Sequence, residues 1–356
     1  MKIIQVIPNL QFAGAEIMCE NLTYALMAMG HEVLVVSLYN EHTPIAQRME
    51  AAGVRIRYLD KKLGLDVSMV PKLYRILRQE SPDVVHTHLN VVKYAALAAR
   101  LAGVEHCVHT VHNVADQEAQ GRTQQQIHGY YFRHGWSVPV ALSGLVQKTV
   151  VELYGLNPEQ IPVIFNGIDL SKCLPKEDYR TADVVTFLHI GRFNQQKNHE
   201  GLLRAFALVH KTHPSCRLRL VGEGELRRDM EALAQTLGIG EAVEFCGLRS
   251  NVYPLLREAD VFLLPSHFEG MPMTLIEAMG TGLPIVATAV GGVPDMLSDG
   301  VSALLTPCRE EDVAAACEAL ADSEDLRRRL GLAARAASIR FSAGTMARQY
   351  LNVYEM

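Results

Sequence analysis

Residues 261–277 have the sequence Val261-Phe-Leu-Leu-Pro-Ser-His-Phe-Glu-Gly-Met-Pro-Met-Thr-Leu-Ile-Glu277, which predicts a strand, a loop and a helix in that order. The first four residues form a short apolar run, as is typical of a buried parallel strand. Gly270 and Pro272 prevent regular helix from beginning before about Pro272. A strand that leads through a loop into a helix is the repeating unit of an α/β protein.

Two glutamates flank the predicted start of this helix, Glu269 on the loop and Glu277 on the helix. The free backbone N–H groups around Met273, Thr274 and Leu275 are predicted to lie at the positive end of the helix, where a phosphate is favoured. Carboxylates so close to a phosphate would repel it unless they face neutral donors, for which sugar hydroxyls are the obvious candidates. The E-x7-E spacing alone is common, and Glu277 also fits a solvated position on a helix. The prediction therefore depends on the strand, the loop and the helix start in which the two glutamates lie.

Composition limits the class of protein. A chain of 356 residues exceeds the usual size of one domain, so we expect two domains. The net charge of −5 argues against nucleic acid as the main partner. Seven cysteines without a CxxC pair are expected to be reduced core residues, as in the cytosol. Without a signal peptide or an apolar run of ~18 residues, a cytoplasmic protein is expected, free or attached at the inner face of the cell membrane.

Short β-branched runs alternate with helix-length segments along the chain. The first series of candidate strands covers residues 3–7, 33–38, 54–59, 84–87, 107–111, 138–142 and 163–165. The pattern begins again with residues 184–190, 218–221, 243–245, 261–264, 285–288 and 303–306. This alternation predicts an α/β fold with two Rossmann-like, doubly wound parallel sheets.

Residues 166–181 are polar, contain glycine and proline and lack an apolar face, so a domain boundary is expected there. We predict an N-terminal domain of residues 1–168 and a C-terminal domain of residues 169–341. Residues 342–356 predict an amphipathic helix that packs back on the first domain. Ligands of such sheets bind at the carboxyl ends of the strands, and a cleft between two facing sheets is the expected site.

Two cations follow the first strand of the second series, in the segment Gly191-Arg-Phe-Asn-Gln-Gln-Lys197. Gly191 lets the backbone approach a ligand, Arg192 presents two parallel N–H donors to phosphate oxygens, and Lys197 adds a mobile charge. A diphosphate leaving group needs such charges. Both could instead be ordinary surface cations, although a positive charge beside a helix start is mildly unfavourable.

The loop after the first strand, residues 8–16, carries Gly14 before a helix and predicts a phosphate or sugar contact. It lacks the full G-x-G-x-x-G pattern, so an NAD site is poorly supported. The turn Gly222-Glu-Gly224 is interpreted as loop structure that lines the pocket.

Histidines are abundant in the first half of the chain, but their spacing, without H-E-x-x-H or a D-x-D loop, argues against a metal site. His86 and His109 are interpreted as satisfied core residues. His112 follows its strand at the cleft edge and is predicted to hydrogen-bond a sugar or a phosphate.

Together these residues resemble the retaining, E-x7-E glycosyltransferases with the two-domain GT-B fold, often called glycosyltransferase family four. The resemblance covers nearly the whole chain and is strongest over residues 265–295, with support from Asn166-Gly-Ile-Asp169 and from Gly191-Arg192 with Lys197. Family members often have two glycines in the first loop, whereas here Ala13 precedes Gly14. The acceptor geometry is therefore less securely predicted than the donor geometry.

The resemblance implies a metal-independent enzyme of the hexosyltransferase class without a cofactor, acting in polysaccharide or glycolipid assembly. Its donor would be a nucleoside-diphosphate sugar, with UDP favoured, and its acceptor a saccharide or a lipid-linked saccharide. Glu277 would bind the ribose, Glu269 the sugar hydroxyls, and Arg192 with Lys197 the departing diphosphate. The implied catalytic residues are His112, Arg192, Lys197 and Glu269, and the implied substrate-binding residues are Gly14, Gly191, Gly247, Leu248, Gly270, Met271, Met273, Thr274, Leu275 and Glu277.

Other functions fit the same residues. A nucleotide-sugar epimerase or a phosphorylase would share the fold, a non-catalytic sugar-nucleotide binder would share the pocket, and an NAD oxidoreductase is a third possibility. Peripheral membrane contact is suggested by basic and apolar residues of the first domain, which also fit a solvated face and a core-packed helix. They are Arg55, Arg57, Tyr58, Leu59, Lys61, Lys62, Leu63 and the segment Tyr130–Trp136.

Overall fold

The computed structural model describes residues 1–11, 13–181, 184–249 and 251–356. The chain divides into two compact units, one formed by Met1–Ile168 with Phe341–Met356 and the other by Asp169–Arg340. Each unit contains one six-stranded parallel sheet covered by helices, so the predicted α/β class with two Rossmann-like sheets is confirmed.

The first unit has the strand order β3-β2-β1-β4-β5-β6. All pairs along it are parallel, and most strand residues are buried because helices cover the sheet. The strands are β1 (Lys2–Ile7), β2 (Glu32–Ser37), β3 (Arg55–Tyr58), β4 (Val84–His88), β5 (His106–Val111) and β6 (Val138–Ala141).

The second unit repeats this winding with the order β12-β11-β10-β7-β8-β9. The chain winds in one direction from β7 to β9 and in the other from β10 to β12, so the topological switch point lies between β7 and β10. The strands are β7 (Thr186–Ile190), β8 (Arg217–Val221), β9 (Val243–Gly247), β10 (Val261–Leu264), β11 (Ile285–Thr288) and β12 (Leu304–Thr306).

Helices connect the strands within each unit. Those of the first unit are α1 (Gly14–Ala28), α2 (Pro44–Ala51), α3 (Met69–Glu80), α4 (Val92–Ala102), α5 (Ala115–Glu118), α6 (Arg122–Arg133) and α7 (Gly144–Tyr154). Those of the second are α8 (His199–Thr212), α9 (Arg227–Thr236), α10 (Tyr253–Glu258), α11 (Met273–Thr281), α12 (Val293–Met296), α13 (Glu310–Asp322) and α14 (Glu324–Ser338). In the part of the chain that the structure describes, none of the helices has the length and apolar character needed to cross a bilayer.

The last helix, α15 (Ala343–Tyr354), belongs to the first unit. Its buried face packs against α1 and the sheet, and Tyr350 is fully buried there. Tyr354 hydrogen-bonds His86 Nδ1 through its hydroxyl at 2.7 Å. Where the chain returns to this unit, two backbone hydrogen bonds join it to the end of the first segment. Ile168 N–H donates to Phe341 O at 3.0 Å, and Ala343 N–H donates to Ile168 O at 2.7 Å.

One of the predicted strands does not form, and several others differ from the observed bounds by one or two residues. Residues 163–165 form no strand, because Val163 makes only an isolated bridge to Ala141 beyond the sheet edge. The strand expected from residue 184 begins at Thr186, whose N–H donates to the Asp260 carboxylate at 2.9 Å. An apolar run predicts a strand, but only the available pairing partners set its ends.

Candidate functional site

The loops that follow β7 and β10 meet at the switch point of the second sheet. His267 N–H donates to Gln196 O at 2.9 Å, and Gln196 Nε2 donates to Phe268 O at 3.1 Å. Asn198, which caps α8, donates from Nδ2 to Pro265 O at 3.0 Å. These bonds hold two predicted segments, residues 191–197 and 265–270, against each other at the sheet edge where α/β proteins bind ligands.

Lys197 and Glu269 form an ion pair at this junction. Lys197 Nζ lies 2.6 Å from Glu269 Oε1, which also accepts a 2.5 Å hydrogen bond from Ser266 Oγ. Glu269 is only 5% exposed. The sequence predicted neutral sugar hydroxyls as partners of this carboxylate. The structure adds a cation of the protein, Lys197, which offsets the cost of burying the negative charge.

Arg192 has the opposite environment. Its side chain is exposed, and its guanidinium has no hydrogen bond or ion pair with any residue that the structure describes. Gly191 precedes it directly at the end of β7. The same loop thus carries one cation that pairs with a carboxylate and one cation without such a partner among the described residues.

A second layer of backbone supports this loop. Phe193 N–H donates to Glu223 O at 2.9 Å, and Leu226 N–H donates to Phe193 O at 3.1 Å. Gly222 has a φ of +143°, and a Cβ there would lie 2.0 Å from Gly191 O. The turn Gly222-Glu-Gly224, which was interpreted as pocket lining, thus supports the backbone of Gly191–Phe193. In the sequence, Gly222 was the signal that two backbone segments approach each other closely here.

Helix α11 begins at Met273 after Pro272, with no side-chain cap. Leu275 N–H donates to Pro272 O at 3.1 Å. The prediction that the Leu275 N–H is free was therefore wrong. Met273 and Thr274 are the first two residues of the helix, where N–H groups lack intrahelical acceptors and a phosphate is favoured.

Glu277 lies on α11, where its burial is partial. Burial raises its pKa to about 7, although a hydrogen bond from the Tyr253 hydroxyl and the charge of Lys172 oppose that shift. Tyr253, which begins α10, has no motif that marks it in the sequence. A carboxyl group that is partly protonated at neutral pH can both donate to and accept from hydroxyl groups.

The remaining predicted contacts of the second unit lie at the end of β9. Gly247 is its last residue and accepts a 3.0 Å hydrogen bond from Gly222 N–H. Leu248 follows and is 68% exposed. Gly270 and Met271 lie between Glu269 and α11, with Met271 buried.

Gly291 fixes the backbone of the Glu269 loop. Its φ is +56°, and a Cβ at this position would lie 1.7 Å from Glu269 O. The same carbonyl accepts a hydrogen bond from Gly292 N–H at 3.2 Å. The pair Gly291-Gly292 after β11 thus allows a close backbone contact that no larger residue permits.

In the first unit, a chain of hydrogen bonds sets the tautomer of His112. Gln5 Nε2 donates to Thr23 at 2.7 Å, so Gln5 Oε1 accepts from His88 Nε2 at 2.9 Å. His88 Nδ1 then accepts from His112 Nε2 at 3.1 Å. Burial lowers the pKa of His112 to about 3, so the ring is neutral and its Nδ1 is an acceptor for a hydroxyl group.

Gly14 and His112 line one cavity of about 490 Å³ in the first unit. Gly14 is the first residue of α1, with an open space beside it. Phe12, in the same predicted loop, lies outside the described residues. The structure thus brings these two predicted residues together within the first unit, as it brings Lys197 and Glu269 together within the second.

His109 is not the satisfied core residue that was expected. Its Nδ1 bonds Thr87 at 2.8 Å, but its buried Nε2 has no hydrogen bond to any described residue and lies 3.8 Å from Glu118 Oε1. Burial lowers the pKa of His109 and raises that of Glu118 to about 8, so the two are neutral at pH 7. His86, in contrast, is bonded at both nitrogens.

Glu118 was missed by the sequence analysis. Its carboxyl group accepts the backbone N–H groups of His112 and Asn113 and so holds the loop after β5. The residue lies on the short helix α5, where no recognisable motif marks it. Ser266 was also missed, although it stands inside the quoted stretch.

Comparison with known proteins gives two matches to family models. The model for glycosyl transferases group 1 matches residues 176–337, and the model for glycosyltransferase family 4 matches residues 12–172. The chain is 31% identical over 244 residues to the UDP-Gal:alpha-D-GlcNAc-diphosphoundecaprenol alpha-1,3-galactosyltransferase of Escherichia coli, covering 64% of this chain and 63% of that protein. This match therefore spans less than two thirds of the curated relative.

Longer matches exist to other proteins. The D-inositol 3-phosphate glycosyltransferase of Thermobifida fusca is 30% identical over 318 residues, with coverage of 76% of this chain and 72% of that protein. The crystal structure of Anabaena Alr3699/HepE in complex with UDP has a TM-score of 0.85 at 20% identity and covers the whole of both chains. Such structural neighbours identify the fold as GT-B.

Gly291→Ala should strongly destabilise the Glu269 loop, because the added Cβ would overlap Glu269 O. Gly300→Ala is the matched control, since Gly300 has a similar φ of +65° but open space around it. The control should lose only the ~1–2 kcal/mol cost of left-handed backbone, and Gly291→Ala should lose clearly more. Urea denaturation of both variants measures the difference, and equal losses would contradict the close contact.

The raised pKa of Glu277 predicts a pH dependence of stability. Since the folded state keeps the proton to about pH 7 and the unfolded state loses it near 4.5, stability falls between these values as pH rises. Glu277→Gln should remove a slope of up to ~1.4 kcal/mol per pH unit. Tyr253→Phe removes a hydrogen bond that favours the carboxylate, so it should raise the pKa of Glu277 further. The pH range over which stability falls should then extend to higher pH. Denaturation curves at several pH values test this, and parallel wild-type and Glu277→Gln profiles would refute it.

Proposed function

We propose that this chain, which belongs to the group 1 glycosyl transferases of glycosyltransferase family 4, is a retaining hexosyltransferase. It moves a sugar from a nucleoside-diphosphate donor to an acceptor hydroxyl in polysaccharide or glycolipid assembly. The observation that carries the proposal is the junction between the loops after β7 and β10, where a fixed Lys197–Glu269 pair lies on the same loops as the exposed Arg192.

The diphosphate of the donor binds at this junction and at the start of α11. Arg192, which has no partner among the described residues, provides two parallel N–H donors to phosphate oxygens. The N–H groups of Met273 and Thr274 add the positive end of α11. Lys197 Nζ donates to the Glu269 carboxylate and so orients it toward the sugar hydroxyls, while the same ammonium group faces the phosphates.

The nucleoside and the sugar also contact groups outside this ion pair. Glu277 hydrogen-bonds the ribose, and Gly247 with Leu248 contacts the base. UDP is the favoured nucleotide, in keeping with the names of the Escherichia coli relative and of the Anabaena complex. In the first unit, His112, whose Nδ1 is a lone-pair acceptor, receives a hydrogen bond from a sugar hydroxyl.

The transfer retains the anomeric configuration. The acceptor hydroxyl attacks from the face that the diphosphate leaves, and a phosphate oxygen of the leaving group takes the proton. No protein nucleophile is required. Electrostatic support of the leaving group by Arg192 and Lys197 is then the largest catalytic contribution, and it requires no metal ion.

The acceptor is a saccharide, free or lipid-linked, and a lipid-linked acceptor brings the protein to a membrane surface. The segment 59–67 between β3 and α3 fits that contact. Leu63 and Leu65 are 92% and 73% exposed. Lys61 Nζ donates to Lys62 O at 2.8 Å and to Gly64 O at 2.6 Å, which folds the segment into a compact turn.

Arg192→Ala should lower turnover of UDP-sugars at least ~100-fold while the protein stays folded, because it removes a donor to the leaving group. Arg328→Ala, at an exposed arginine on α14, is the control and should keep full activity. Nuclear magnetic resonance of the product reports both the rate and the anomeric configuration, and an excess of EDTA should change neither. Inverted product, epimerised donor or an active Arg192→Ala would each reject the mechanism.

Replacing Leu63 and Leu65 together by serine should weaken binding to vesicles at least ~10-fold, because two exposed apolar side chains no longer enter the lipid. The vesicles contain phosphatidylglycerol, and co-sedimentation measures the bound fraction. Leu332→Ser, at a half-exposed leucine on α14, is the control. Equal binding of all three proteins would remove this segment from membrane contact.

A further inference from the structure

The polar side chains that line the cavity of the first unit are, with the exception of His112, carboxyl and carboxamide groups. Its volume of about 490 Å³ is sufficient for a sugar ring with its substituents. Apart from His112, its polar lining consists of carboxyl and carboxamide side chains, namely Glu16, Asn90, Asn113, Gln117, Glu118, Gln120 and Gln124. Small or apolar residues complete the lining, namely Pro8, Ala13, Gly14, Ala15 and Leu89. No lysine or arginine belongs to the lining formed by the described residues.

Glu16 is the most informative of these side chains. It is only 6% exposed, and its Oε2 has no hydrogen-bond partner in the part of the chain that the structure describes. Burial raises its pKa. An unsatisfied carboxyl oxygen at such depth costs free energy, which a ligand that donates hydrogen bonds would recover.

The positive end of the α1 dipole would by itself attract an anion, but the carboxyl group of Glu16 already occupies the first turn of that helix. This carboxyl group accepts the backbone N–H of its own residue. A phosphate in the cavity would meet this carboxyl group and would find no cation to balance it. Hydroxyl groups, in contrast, can donate to Glu16 and exchange hydrogen bonds with the carboxamides.

We infer that this cavity selects a neutral, hydroxyl-rich sugar ring as the acceptor, with Glu16 as the specificity-determining residue, and that it rejects a ring that carries phosphate. The inference rests on the proposed function, because it names the acceptor of that reaction. It also assigns a role to Glu16 that the donor chemistry does not use.

The test uses the full chain with UDP present and measures binding by saturation-transfer nuclear magnetic resonance. The probes are octyl glycosides of glucose, galactose and N-acetylglucosamine and the matched 6-phosphates. At least one neutral glycoside should bind ~10-fold more tightly than its 6-phosphate, since the phosphate meets Glu16 without a counter-charge. Equal or tighter binding of the phosphates, or binding of no neutral glycoside by a protein that binds UDP, would overturn the inference.

Variants test whether Glu16 causes the preference for neutral glycosides over their 6-phosphates. Glu16→Gln should reduce the preference at least ~5-fold, whereas Glu105→Gln, the same charge change at an exposed glutamate, should leave it unchanged. Gln124→Lys keeps the test decisive if Glu16→Gln fails to fold, because a cation in the cavity should raise affinity for the 6-phosphates. Unchanged preference in Gln124→Lys or in a folded Glu16→Gln would contradict the assignment. If the neutral glycosides bind but UDP does not, the proposed function fails while the cavity's selectivity holds.

Discussion

The ion pair between Lys197 and Glu269 is the interaction on which the second unit's site depends. It joins the loops that leave β7 and β10, the two strands on either side of the switch point. A buried carboxylate without a cation would be costly, and the pair adds a side-chain contact to the backbone hydrogen bonds that hold the two loops together. Ser266 completes the arrangement by donating to the same carboxylate oxygen. Lys197 is thus fixed in place by Glu269, whereas the Arg192 guanidinium has no hydrogen bond or ion pair with any described residue.

The first unit positions its histidine by a different device. No charge is involved, since burial keeps His88 and His112 neutral, and the tautomers follow from the amide of Gln5. Glu118 holds the backbone of the same loop through two N–H groups. The two units share a topology, yet one fixes its site by an ion pair and the other by directed hydrogen bonds.

Much of the architecture was predictable from the sequence because short apolar runs and helical periodicity are local properties. The quoted stretch gave β10 at its observed bounds and the start of α11 within a residue. The environment of Glu269 was not predictable, since its partner Lys197 is distant in sequence and only the pairing of β7 with β10 brings them close. The same holds for Tyr253 at Glu277 and for Glu118 at His112. Motifs predicted which residues matter, whereas their partners required the fold.

The return of α15 to the first unit has a consequence for biosynthesis. On the ribosome, the strands of that unit emerge long before residues 341–356, and the whole second unit is made in between. The apolar surface of α1 and the imidazole of His86 therefore remain uncovered on the nascent chain until Tyr350 and Tyr354 arrive. The second unit is formed by one continuous segment of the chain, so it can fold before the first unit is complete. A translation product that stops before residue 341 would hence be a target for chaperones and proteases.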